Sequence, residues 1–143
     1  MPLLPLCHIL NLQKELRGTN AEISSWGCGD YGQLVKQWSD TSETQVVWKI
    51  RQESITANTK GFQGAVVRIG SANEAASVVR FATCHKVPLT TRSGGCSTSG
   101  SSTVHGGILL DLSNLRNVHV HPESRVVVAQ GGALWKDVDV ASA

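Results

Sequence analysis

At 143 residues, with 41% hydrophobic and 17% charged side chains, the chain has the size and composition of one globular domain rather than a disordered segment. Its formal net charge is +2 and its lysines and arginines are scattered, which argues against nucleic acid or an anionic membrane as a partner. Cysteines at positions 7, 28, 84 and 96 form no C-x-x-C pair, so neither a zinc site nor a dense disulfide scaffold is indicated; four reduced thiols, two or three of them buried, are expected.

The first ten residues are apolar but lack a basic start and are broken by Pro2 and Pro5, a poor signal peptide. No apolar stretch approaches the roughly 18 residues of a spanning helix, and an intracellular protein is the default expectation. Asn11 can cap a short helix through Leu16 and Arg17, closed by Gly18. Asp30 can cap a second, where Tyr31, Leu34, Val35 and Trp38 make one apolar stripe. Gln45 to Gly61 has no clean period. It reads as an irregular insertion, either a surface loop or translated non-coding sequence, because long structureless segments are uncommon in compact domains. The expected organisation is therefore a helical segment over 1–44, an insertion over 45–61 and a folded unit over 62–143.

Ala65 to Ile69 reads as a strand. Ser71-Ala-Asn-Glu74 is a capping box, with the Ser71 side chain accepting from the N3 amide and Glu74 reaching back. Ala75, Val78, Val79 and Ala82 form an apolar face, and His85-Lys86 places cations at the helix end before Pro88 stops it. Leu89 to Arg92 is the next strand. Strand, helix and strand within about 30 residues make a βαβ unit, whose strands should pair in parallel.

A small-residue loop follows, Ser93 to Thr103, with Gly94, Gly95 and Gly100, and then Gly106-Gly107 and the apolar strand Ile108 to Leu112. Without Cβ atoms the backbone N–H groups can approach a ligand closely, and clustered N–H groups favour an anion such as phosphate. Hydroxyls of Ser93, Ser97, Thr98, Ser99 and Ser101 add donors, and Arg92 adds charge at the edge. The other reading is a flexible Gly/Ser linker. The loop is neither a Walker loop nor the dinucleotide fingerprint, since no Lys-Ser/Thr follows and no G-x-G-x-x-G opens a helix. It leaves the C-terminal end of a parallel strand, where open α/β sheets bind ligands.

Downstream, Val118-His119-Val120 and Val126 to Val128 make short strands around a Pro122-Glu123-Ser124 turn. His119 and His121 share a face, read as solvated strand rather than metal site. Gln130-Gly131-Gly132 is a second tight turn, and Ala133 to Val140 begins a helix.

The run Arg92-Ser93-Gly94-Gly95-Cys96-Ser97-Thr98-Ser99-Gly100, then Gly106-Gly107-Ile108-Leu109-Leu110-Asp111-Leu112-Ser113, and the later Gly131-Gly132-Ala133-Leu134-Trp135 block resemble the PCMH-type FAD-binding domain of the vanillyl-alcohol-oxidase group. Within that group the likeness is greatest to fungal, berberine-bridge-enzyme-like FAD-linked oxidases. It covers most of residues 11–45 and nearly all of 62–143, and only the first FAD subdomain.

The resemblance implies an α+β fold: a βαβ core with a small mixed sheet and flanking helices, the first half of that domain. It implies FAD as cofactor and hydride transfer from a substrate carbon to the flavin. The implied cofactor-binding residues are Arg92, Ser93, Gly94, Gly95, Cys96, Ser97, Thr98 and Gly100, with Gly131 and Gly132 as a second wall. Cys96 stands where many members carry the histidine covalently linked to the flavin, so non-covalent FAD is expected. No catalytic base is identified, no metal is expected, and the substrate is not specified. The alternatives are a non-catalytic remnant and a protein-interaction module without flavin.

Overall fold

The computed structural model describes residues 4–25, 64–97, 102, 104 and 106–143. The expected helix over Tyr31 to Trp38, the insertion at 45–61, and Thr98, Ser99, Gly100 and Ser101 of the loop lie outside them. Helix α1 spans Leu6–Glu15, strand β1 Glu22–Ser25, β2 Ala65–Arg68, α2 Ala72–Cys84, β3 Leu89–Arg92, β4 Ile108–Asp111, β5 Val118–His121, β6 Val126–Ala129 and α3 Trp135–Ser142.

Four strands form one mixed sheet in the order β1-β2-β4-β3. The two central strands are the apolar runs: Ala65, Val66 and Val67 are buried, as are Ile108, Leu109 and Leu110. A strand covered on both faces cannot alternate polar with apolar residues. The strands with more polar residues, Glu22-Ile-Ser-Ser25 and Leu89-Thr-Thr-Arg92, take the edges. β2 and β3 are both parallel to β4, which lies between them, and β1 runs antiparallel to β2. The expected βαβ unit is therefore present, but its two strands do not pair directly. A strand from later in the chain inserts between them, which the local pattern does not encode.

Alternate residues separate the two faces of the sheet. Ala65, Val67, Ile108 and Leu110 pack with Leu12 and Ile9 of α1 and with Val78, Phe81 and Ala82 of α2 into one core. The N-cap residue of α1 is Pro5, six residues before the expected cap Asn11. The helix start leaves several N–H groups without intrahelical partners, so proline's missing donor is tolerated at this end. The ring of His8 meets Phe81 edge-on, with centroids 6.2 Å apart, and lies 5.0 Å from His85. His85 stacks on Phe81 at 4.3 Å, so its ring is engaged in aromatic contact at the end of α2.

Both ends of α2 have a physical account. Ser71 Oγ accepts from the Glu74 N–H at 3.3 Å, as expected. Glu74 does not reach back to Ser71; its carboxylate accepts from the N–H groups of Gly70 at 2.7 Å and Asn20 at 3.2 Å. It thus fastens the chain before β1 to the helix start. At the other end Lys86 has φ 53. The Val87 N–H donates to Ala82 O at 2.8 Å and the Lys86 N–H to Thr83 O at 3.3 Å, the paired closure of a Schellman motif with an apolar contact beneath it.

The described cysteines, Cys7, Cys84 and Cys96, are free and exposed. That corrects the expectation that two or three would be buried: Cys7 and Cys84 fall on the solvent sides of α1 and α2. β5 and β6 form the expected antiparallel hairpin, with His119 and His121 exposed on one face. No described helix is long and apolar enough to cross a membrane.

Candidate functional site: a glycine loop at the ends of β3 and β4

β3 and β4 end in register at Arg92 and Asp111. The Arg92 guanidinium donates to Asp111 Oδ2 at 2.6 Å, and the two side chains are 9% and 2% exposed. Arg92 is therefore not the surface charge that the loop's sequence suggested; it is engaged inside the sheet. Asp111 Oδ1 also accepts from the Ser113 N–H at 2.9 Å. Burial pushes the Asp111 carboxyl up, but the hydrogen bonds from Arg92 and Ser113 outweigh it and hold the carboxyl below its ordinary value. The Leu112 N–H donates to Arg92 O at 2.8 Å, so backbone and side chains together tie the two strand ends where the loop departs.

From that point Ser93, Gly94, Gly95 and Cys96, with Ser102 further along, form one side of a cavity of about 740 Å³. Gly95 is buried with φ 72, a backbone conformation that favours glycine. The N–H groups of Gly94, Gly95 and Cys96 make no hydrogen bond to the backbone of another described residue. Donors left in this way at a cavity wall are what an anion needs. The exposed Cys96 thiol lies in the same wall.

The facing wall comes from the second glycine turn, but not from its glycines. Gln130, Ala133, Leu134, Trp135, Lys136 and Val138 line the cavity with Ala129, whereas Gly131 and Gly132 lie behind them against the Leu112–Leu115 turn. The Gly132 N–H donates to Leu115 O at 2.9 Å, and a Cβ on Gly132 would sit 1.8 Å from Leu112 O. Gly132 permits a close backbone approach that sets the wall's position. The two walls nearly meet at Gly94, where a Cβ would lie 2.7 Å from Leu134 Cδ2.

α3 is fixed at its start by Asp137. Its carboxylate accepts from the Leu134 N–H at 2.8 Å and from Arg116 at 3.0 and 2.5 Å. The Arg116 and Leu134 bonds hold Asp137 below the usual carboxylate range. Sequence reasoning named the glycines around this wall but missed Gln130, Leu134, Trp135 and Lys136; the signal was their adjacency to Gly131-Gly132. It also missed the role of Asp111, nineteen positions from its partner. No group of three His, Cys, Asp or Glu side chains among the described residues could hold a metal ion.

Residues 64–143 match the family described as the FAD binding domain. The FAD-linked oxidoreductase hasG of Aspergillus fumigatus is 41% identical over 73 residues, 51% of this chain and 16% of that protein. Among solved structures, 6-hydroxy-D-nicotine oxidase from Arthrobacter nicotinovorans is similar with a TM-score of 0.67 at 21% identity, over 87% of this chain and 24% of that one. BBE-like 28 of Arabidopsis thaliana gives 0.68 at 16% identity, over 93% and 25% of the two chains. At these identities the structural likeness is one of fold.

Proposed function

Since the chain belongs to the FAD binding domain family, we propose that it binds FAD through the loop after β3. The observation that carries this reading is the set of three N–H groups, of Gly94, Gly95 and Cys96, in a cavity wall at the C-terminal end of a parallel strand. They suit a pyrophosphate, which needs several donors and tolerates no Cβ between itself and the backbone. Ser93, Ser97, Thr98 and Gly100 would extend the cradle along the loop. Arg92 would hold the loop's base, and Gly131 and Gly132 would set the opposite wall.

When bound, FAD would supply a hydride acceptor. The work left to this chain's own residues is to bind, orient and partly enclose it. Cys96 in place of the linking histidine supports a non-covalent flavin. The oxidase reaction of a whole FAD-linked oxidoreductase is part of the same proposal, since this chain spans only 16% of hasG.

Gly95→Ala tests the cradle. Alanine resists φ 72 and would turn at least one N–H away. Loss of one hydrogen bond to a charged group costs about 1.5–3 kcal/mol, roughly tenfold or more in Kd. FAD titration by equilibrium dialysis should show this loss with the circular dichroism spectrum unchanged. Equal affinity in the two proteins would contradict a phosphate cradle at Gly95.

A further inference from the structure

Trp135 is the first residue of α3 and is 82% exposed. A tryptophan left this open in a folded domain gives up most of the stabilisation its large apolar surface could provide. It nevertheless lines the same cavity as Gly94 and Cys96, together with Val138 one helical turn on. Lys136, next to it, is the only cationic side chain among the described lining residues. The Asp137 bonds to Leu134 and Arg116 fix this first turn, so the indole is carried on a held backbone and little ordering is required when something covers it.

We propose that Trp135 and Lys136 form a stacking platform that takes a planar heteroaromatic ring bearing phosphate, with the indole on the ring face and the ammonium on the charge. This rests on the FAD reading and assigns the second wall its part in recognition. FAD carries two such rings, adenine and isoalloxazine, and the platform would take one of them. The reasons are physical: every such ring presents a π-face that an exposed indole can cover, and the anion cradle lines the same cavity.

The test compares wild type with Trp135→Ala, Trp135→Leu and Trp135→Phe, titrated with FAD, FMN and ADP. Because Trp135 is exposed, all three variants should keep the wild-type circular dichroism spectrum and melting temperature. Aromatic stacking on a base predicts at least about a fivefold weaker FAD affinity for the Ala and Leu variants, with the Phe variant within about twofold of wild type. A parallel loss for FMN but not ADP assigns the isoalloxazine to the platform, and the reverse assigns the adenine. Wild-type FAD affinity in all three variants would overturn the platform while leaving the FAD reading intact. Failure of wild type to bind FAD at all would remove both.

Discussion

Replacing Asp111 with Ala should remove about 3–5 kcal/mol of folding free energy, the usual consequence of breaking a buried ion pair by removing one of its members. The Arg92 guanidinium would remain 9% exposed with its 2.6 Å partner gone, and the Ser113 N–H would lose its acceptor. Against a total stability of about 5–15 kcal/mol that is a large share, and urea denaturation at pH 7 should show it directly. The double variant Arg92→Met/Asp111→Leu should recover much of the loss, because an apolar pair needs no compensating charge.

The pair also sets an acid dependence. The folded carboxyl of Asp111 lies below its unfolded value, so its stabilisation is fully present above the unfolded pKa of about 3.9 and is lost as pH falls through the folded value. Wild type should therefore lose stability below about pH 4, and Asp111→Ala should show a shallower decline over that range. A loss under 1 kcal/mol at pH 7 would contradict the buried pair.

Gly132→Ala should be nearly as damaging, and its neighbour should not. A Cβ at Gly132 meets backbone: Leu112 O at 1.8 Å, Leu112 C at 2.6 Å and Leu115 O at 2.9 Å. No side-chain rotation relieves that contact, so the turn must shift and the Gly132–Leu115 hydrogen bond must break. The expected cost is at or above the upper end of about 1–3 kcal/mol for overpacking. At Gly131 the nearest atom is the end of a flexible side chain, Leu112 Cδ1 at 3.3 Å, and Gly131→Ala should stay within about 0.5 kcal/mol of wild type. Thermal denaturation of the two variants side by side separates them. Equal melting temperatures would contradict the close approach of the two turns. Because Gly132 positions Gln130 and Leu134, its variant should also weaken FAD binding.

What the sequence made legible was local. Continuous apolar runs marked β2 and β4 as strands, Ser71 marked the start of α2, and Pro88 followed its end. The valine runs around Pro122 marked the hairpin. What it left hidden depended on residues far apart in the chain. Nothing local says that β4 inserts between β2 and β3, since hydrogen-bond patterns inside a strand are the same for any parallel neighbour. The Arg92–Asp111 pair follows from that insertion, and so do the burial of Arg92 and the fixed base of the loop. Glu74 chose Gly70 and Asn20 over Ser71 because the chain before β1 lies beside the helix start, which a four-residue motif cannot reveal. At the site, the glycines were visible by composition. Their division of labour was not: Gly94 and Gly95 line the cavity, whereas Gly132 admits a neighbouring backbone.

FAD binding is measured most simply by the visible absorption spectrum of the purified protein after incubation with excess FAD and desalting, followed by acid precipitation. Non-covalent binding of FAD predicts flavin bands near one flavin per chain, with the colour released to the supernatant by acid. A colourless desalted protein would contradict FAD binding by this chain, and colour that stays with the precipitated polypeptide would contradict the non-covalent attachment inferred from Cys96.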